Sequence, residues 1–347
     1  MSSPSGQSNI AWNLYALMTV AAWGVYGIFL QMGQMGMNDR ALGGYKAFLF
    51  VGIAYFLTAV LAPLALLWMR GAKWRFPLAG SCISLLAGIV GAIGAFAVLL
   101  AFGAGGQPAV VMTIVFAGAP IVNSVIGLLK EPPKGGWSTI HPLFHAGMAL
   151  AIVGAALVTL FKPAPAGHSP EQVGAAAWLL YALVTVAAWG VYGIFLHMGQ
   201  VSMKDPLLGR YKAFLFVGIA YFITAVLAPL IVLWSKHCDW SLFTSSGCWL
   251  SLMAGIVGAI GAFAVLLAFG AGGKPPIVMT IVFAGAPIVN AVVGLLKAPP
   301  SGGWNSIQPQ FYLGIGMAII GAALVTTFKP NQSRVAAAPI EIAQAHA

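Results

Sequence analysis

The chain has 347 residues, 60% of them hydrophobic and only 6% charged, with a formal net charge of +10. A water-soluble domain carries about 25% charged residues, so this composition excludes an ordinary soluble fold and makes lipid the main solvent. The positive charge does not indicate nucleic acid, because the basic residues are scattered between apolar runs rather than gathered on one polar face.

A membrane-crossing helix needs about 20 mostly apolar residues. Residues 1–11 form a polar N-terminal tail without a basic region, and the run that follows is too long for a signal-peptide core. Apolar runs then fall near 12–33, 45–69, 80–103, 108–129 and 143–161. Breakers such as "GQMGMNDRALGG", "RGAKWRFP", "GAGGQP" and "KEPPKGGW" separate them. A Pro-, Gly- and Ala-rich linker covers 164–177, and five more runs follow near 178–199, 211–235, 247–270, 275–296 and 311–328. A polar, Ala-rich C-terminal tail occupies 331–347.

The second five runs copy the first five. "TIVFAGAPIVNSVIGLLK" at Thr113 returns as "TIVFAGAPIVNAVVGLLK" at Thr280, Trp12 aligns with Trp178, and one residue is inserted near Cys248. Identity across the aligned parts is roughly 70%, too high for chance. The chain thus reads as two five-helix repeats, 12–163 and 178–330.

Five is odd, so a second copy that follows the first through the bilayer must start on the opposite side. The expected fold is an all-α membrane protein of ten transmembrane helices, arranged as two inverted five-helix repeats. Charge supports this. With a cytoplasmic N-terminus, eleven of the 16 Lys and Arg fall inside: Arg70, Lys73, Arg75, Lys130, Lys134, Lys204, Arg210, Lys212, Lys274, Lys329 and Arg334. The copies also differ in the matching sense. Asn38, Gly44 and Gln107 become Lys204, Arg210 and Lys274, while Lys73, Arg75 and Lys134 become Asp239, Ser241 and Ser301. The expected location is the cytoplasmic membrane, with both termini in the cytoplasm.

Several residues inside the runs ask for a role. Asn123 and Asn290 place amides at mid-span, one turn after Pro120 and Pro287, which lack a backbone donor and kink the helix. They form either a polar binding spot or hydrogen bonds between helices. Trp23 and Trp189 lie mid-span, away from the interfacial belt, and suit an interior wall or gate. Tyr26, Tyr192, Tyr55 and Tyr221 carry a hydroxyl that finds a partner or lines a cavity. Lys46 and Lys212 open the second and seventh runs and either snorkel to the surface or attract an anionic group. Ala87, Gly91 and Ala95, repeated as Ala254, Gly258 and Ala262, share one helix face and permit close packing or a thin chamber wall. Pro63 and Pro229 read as simple kinks, and Trp12, Trp68, Trp137, Trp178, Trp234 and Trp304 as interfacial anchors.

Enzyme chemistry finds no support. No run contains an acid, His141 and His145 have no counterpart in the second copy, and Cys82, Cys238 and Cys248 form no paired motif. No cofactor and no metal are expected.

These motifs together resemble the EamA-type repeat of the drug/metabolite transporter superfamily. "LYALMTVAAWGVYGIFLQMG" is similar to its opening helix and "GGYKAFLF" to its second, with Lys46 and Lys212 as the basic residues near the start. "GAPIVNSVIGLLKEPP" resembles the fourth helix and "GMALAIVGAALVTL" the closing one. The resemblance implies a central cavity between the halves and transport of a small metabolite by alternating access. An amino-acid-like, nucleobase-like or similar weakly polar solute is expected, moved by facilitated diffusion or exchange. Glu131 fits the family's usual acid, but Ala298 replaces it in the second copy. Asn123, Asn290, Tyr26, Tyr192, Trp23, Trp189, Lys46 and Lys212 are the candidate substrate-binding residues. Expected partners are a small-molecule substrate and the lipid bilayer, with a homodimer allowed. The alternative is a non-transporting membrane scaffold subunit, which would keep a dry interior with every Asn and Tyr satisfied between helices.

Overall fold

The structure is a computed structural model that describes residues 5–106, 108–130, 132–133, 136–161, 177–297, 299 and 302–328. All regular structure among them is helical. The first copy supplies α1 (Ser5–Gly36), α2 (Gly43–Met69), α3 (Leu78–Gly103), α4 (Pro108–Lys130) and α5 (Pro142–Leu160). The second supplies α6 (Ala177–Ser202), α7 (Gly209–Ser235), α8 (Ser245–Gly270), α9 (Pro275–Lys297) and α10 (Pro309–Thr327). Eight helical segments among the described residues are long and apolar enough to cross a membrane; the apolar parts of α4 and α10, Ile114–Lys130 and Pro309–Val325, are shorter. The chain is therefore an all-α, multi-pass membrane protein. Of the expected N-terminal tail 1–11, residues from Ser5 onward are already part of α1; the expected C-terminal tail and most of the linker lie outside the described residues, as do Glu131 and Ala298.

The packing is reciprocal between the copies. The main neighbour of α1 is α8, that of α6 is α3, and α5 packs on α10. Each partnership crosses from one copy to the other, so neither half buries its own apolar faces alone. Small residues allow this closeness, since helices in lipid gain from van der Waals contact rather than from leaving water. A Cβ at Gly52 would meet the Ala225 backbone at 2.6 Å, and a Cβ at Gly218 would meet Ala59 at 2.6 Å. These two glycines let α2 and α7 cross backbone to backbone.

Pro63 and Pro229 do more than kink a helix. Proline cannot donate the usual bond to the carbonyl four residues back. The preceding turn widens to an i→i+5 pattern over Phe56–Leu61 in α2 and Phe222–Leu227 in α7. Tyr55 and Tyr221 sit at the entrances of these wide turns and stack face to face, with ring centroids 3.7 Å apart.

Two details of the sequence reading change. Phe76 and Phe243 play matching parts against Lys212 and Lys46, so the inserted residue falls in the turn Trp240–Leu242, ahead of Cys248. Trp12 is 5% exposed and belongs to the core, not to an interfacial belt, whereas Trp68 and Trp234 are largely exposed. The tight α1–α8 pairing draws the start of α1 inward.

Candidate functional site

A narrow chamber lies where the two copies meet. Trp23 and Tyr26 of α1, Tyr55 of α2, and Met112 and Phe116 of α4 face Trp189 and Tyr192 of α6 and Tyr221 of α7. Gly91 and Ala95 of α3 and Gly258 of α8 complete the wall. The space for the centres of water-sized molecules is about 30 Å³, enough for a very few waters. Trp23 and Trp189 are nearly parallel, with centroids 6.5 Å apart, and each approaches the other copy's tyrosine, at 6.2 Å for Trp23–Tyr192 and 6.4 Å for Trp189–Tyr26.

The sequence builds this cage through its glycines. A bare helix backbone exposes carbonyl oxygens to a neighbouring side chain. The Trp23 indole N–H donates to the Gly258 carbonyl at 3.2 Å, and the Trp189 N–H to the Gly91 carbonyl at 3.3 Å. One turn away, the Thr19 hydroxyl donates to Gly261 at 3.0 Å and the Thr185 hydroxyl to Gly94 at 3.1 Å. The indoles are thereby held at fixed depth, with their faces toward the chamber. The Tyr192 hydroxyl is buried without a hydrogen-bond partner among the described residues. An unmet polar group of this kind favours a ligand or a water.

The candidate residues fall into three groups. Trp23, Trp189, Tyr26 and Tyr192 come together in the chamber. Asn123 and Asn290 lie outside its lining and clasp helices instead: Asn123 Nδ2 donates to the Gly190 carbonyl and Asn290 Nδ2 to that of Gly24, each at 3.0 Å. Pro120 and Pro287 lie inside continuous helices one turn earlier, and a Cβ at Gly24 or Gly190 would overlap Val289 or Val122. The Asn side chain thus bonds across the closest approach of α1 with α9 and of α6 with α4.

Lys46 and Lys212 form the third group, at the loop ends. Lys46 is fully buried, pairs with Asp39 at 2.9 Å and lies over the ring of Phe243 at 5.0 Å. Lys212 pairs with Asp205 at 2.9 Å, lies over Phe76 at 5.8 Å and donates to the Arg75 carbonyl at 3.2 Å. Burial alone would raise the Asp39 carboxyl. Hydrogen bonds from the Leu42 and Ala41 N–H groups and the Lys46 ammonium outweigh it and hold Asp39 below the usual carboxylate range. Asp205 is lowered in the same way, against its burial, by Leu208, Leu207 and Lys212. Each latch ties one copy to an aromatic ring of the other.

Sequence reasoning did not assign Met112 and Phe116 to the wall. Their signal is helical spacing: both precede Pro120 by whole turns, at eight and four residues. The Gly91/Ala95 stripe does form part of the thin chamber wall. His141 accepts from the Leu143 N–H at the start of α5 and stacks on Phe328 at 4.5 Å. Cys82, Cys238 and Cys248 are free thiols.

The chain is similar in fold to a solved crystal structure of a protein, with a TM-score of 0.61 at 17% identity, over 91% of this chain and 97% of the other. That likeness speaks for the fold alone. No family model and no curated protein matches the chain.

Proposed function

We propose that the chain is an EamA-type carrier that moves a small, weakly polar or zwitterionic metabolite through the aromatic chamber by alternating access. In this reading ten helices cross the bilayer, the halves lie antiparallel, and both termini face the cytoplasm of a cell membrane. The observation that carries it is the reciprocity of the chamber. Trp23 bonds to Gly258 as Trp189 bonds to Gly91, and each tryptophan faces the other copy's tyrosine. Two five-span units placed upside down relative to one another give such a chamber an equivalent exit toward each face. The small volume of the chamber fits a constricted state between two open ones.

Chemistry narrows the cargo. Aromatic rings offer broad apolar faces and tyrosine hydroxyls, and among the described residues no charged side chain lines the wall. A polyanion has nothing there to balance it, whereas an amino-acid-like or nucleobase-like solute finds stacking surfaces and hydrogen-bond partners. The chain works without a cofactor in this reading, and it is not an enzyme.

The test is uptake in proteoliposomes across a panel of labelled amino acids and nucleobases. Trp23→Ala and Trp189→Ala are expected to abolish uptake of any solute that the unaltered protein accumulates. Normal uptake by both variants would remove the chamber from the account. One observation favours a scaffold instead: both Asn Nδ2 groups and both indole N–H groups donate to helix carbonyls. A scaffold would accumulate no solute from the panel.

A further inference from the structure

We infer that Arg210, beside Gln200, forms a carboxylate-binding site at one mouth of the path, and that the opposite mouth lacks it. The inference rests on the carrier reading for its purpose, but its chemistry stands on separate observations.

Interior positions are almost duplicated between the copies, so an interior difference carries information. At one end His197, Gln200, Arg210, Phe269 and Gly270 gather; the equivalent positions in the other copy are Gln31, Gln34, Gly44, Phe102 and Gly103. His197 meets Phe269 edge to face at 5.2 Å. With its amide turned to suit its surroundings, Gln200 donates to Leu266 O at 2.9 Å, as Gln34 donates to Leu99 O at 3.0 Å. The frame is the same at both ends. The guanidinium is new: a Cβ at Gly270 would meet Arg210 Cζ at 3.0 Å, and the turned Gln200 amide oxygen accepts from the Gly270 N–H at 3.3 Å.

Arg210 has no ion-pair partner among the described residues. Its Nε is buried without a hydrogen bond to any of them. The nearby acid, Asp205, is held by Lys212 at 2.9 Å and by the Leu208 N–H at 2.8 Å. The Leu267, Ala268 and Phe269 carbonyls near the end of α8 accept from the backbone of the turn that follows. Ala271 N–H bonds to Leu267 O, Gly272 N–H to Phe269 O and Gly273 N–H to Ala268 O. Arg210 lies in the first turn of α7, the helix end where a cation is least favoured. A bias of positive charge toward one membrane face explains a Lys or Arg in a wet loop. It does not explain one with a buried, unmet N–H, which costs free energy until an acceptor arrives. The planar guanidinium fork fits a carboxylate in two parallel hydrogen bonds. Gln200 lies about 12 Å along α6 from Tyr192, eight residues at 1.5 Å each, so the site lies about two turns of α6 beyond the aromatic cage.

The test is calorimetric titration of the full-length purified protein with sodium benzoate and with benzamide, its uncharged isostere. The unaltered protein is expected to bind benzoate about tenfold or more tightly than benzamide. Arg210→Gln is expected to lose that preference and Arg210→Lys to keep part of it. Arg210→Gly copies the residue at Gly44, a backbone this fold already accommodates, and is expected to behave as Arg210→Gln does. Equal binding of both probes by the unaltered protein, no benzoate binding up to tens of millimolar, or an unchanged preference in Arg210→Gln would each overturn the inference. Repeating the titration in phosphatidylcholine nanodiscs with and without phosphatidylglycerol separates a solute carboxylate from a lipid phosphate. Benzoate binding that vanishes with the anionic lipid would assign Arg210 to the lipid and overturn the solute site. Absence of uptake alongside an intact benzoate preference would count against the carrier reading and not against this site.

Discussion

Gly261→Ala tests how the cage is held. On α8, Gly261 accepts from the Thr19 hydroxyl and lies one turn beyond Gly258, which accepts from the Trp23 indole. A Cβ at Gly261 would fall inside the contact distance of Trp23 Cδ1 and Nε1, so the ring must leave its place. Overpacking of this kind costs about 1–3 kcal/mol, and the displaced indole loses a hydrogen bond worth about 1 kcal/mol. Replacing a helical glycine by alanine returns about 1 kcal/mol. The net expectation is a loss of about 1–3 kcal/mol. Gly316→Ala is the control, since nothing lies within 4 Å of a Cβ built there; it should gain up to about 1 kcal/mol. Unfolding by SDS in mixed micelles, followed by circular dichroism, measures both. Gly94→Ala should repeat the loss through Trp189. If Gly261→Ala proves as stable as Gly316→Ala, the close approach of Trp23 to α8 is wrong.

Three further outcomes are expected. Asn290→Leu should lower stability by about 0.6–1.7 kcal/mol, the range for hydrogen bonds between membrane helices, while leaving the apparent KM of a transported solute unchanged; a raised KM with unaltered stability would return the amide to the binding site. Trp189→Ala should cut uptake at least about tenfold without loss of helical content, because the chamber loses one of its two large stacking faces. The Asp39 and Asp205 carboxyls are held below their usual range in the folded protein. Their stabilisation is present above the unfolded carboxylate value of about 3.9 and fades as pH falls through the lower folded values. Asp39→Asn/Asp205→Asn should therefore flatten the acid side of the stability profile, and an unchanged profile would show that the two latches contribute nothing.

Particular residues show how far the sequence could be read. The helices were legible because lipid demands long apolar runs, and the duplication made their order plain. Trp23 and Trp189 were legible as interior residues because tryptophan at mid-span is off the interfacial belt. The Asn residues were ambiguous for a physical reason: an amide in lipid needs a partner, and sequence cannot say whether that is a helix carbonyl or a solute. The carbonyls of Gly24 and Gly190 decide it for the Nδ2 groups. Lys46 and Lys212 were seen without their partners, since Asp39 and Asp205 come from preceding loops and Phe243 and Phe76 from the other copy. The wide turns before Pro63 and Pro229 were out of reach, because a proline's lost hydrogen bond can be absorbed by a kink or by an added residue per turn. Trp12 was misread because end-of-span tryptophans usually anchor at the interface, and only the α1–α8 pairing pulls this one inward.

Sidedness labelling of two equivalent loop positions tests the antiparallel arrangement most directly. Arg70 and Lys236 follow α2 and α7 at matching places, and both are exposed. In a background where Cys82, Cys238 and Cys248 are replaced by serine or alanine, Arg70→Cys and Lys236→Cys would each be treated in intact cells with a membrane-impermeant maleimide. The account predicts labelling of position 236 from outside and of position 70 only after the membrane is opened. Labelling of both from the same side would contradict it.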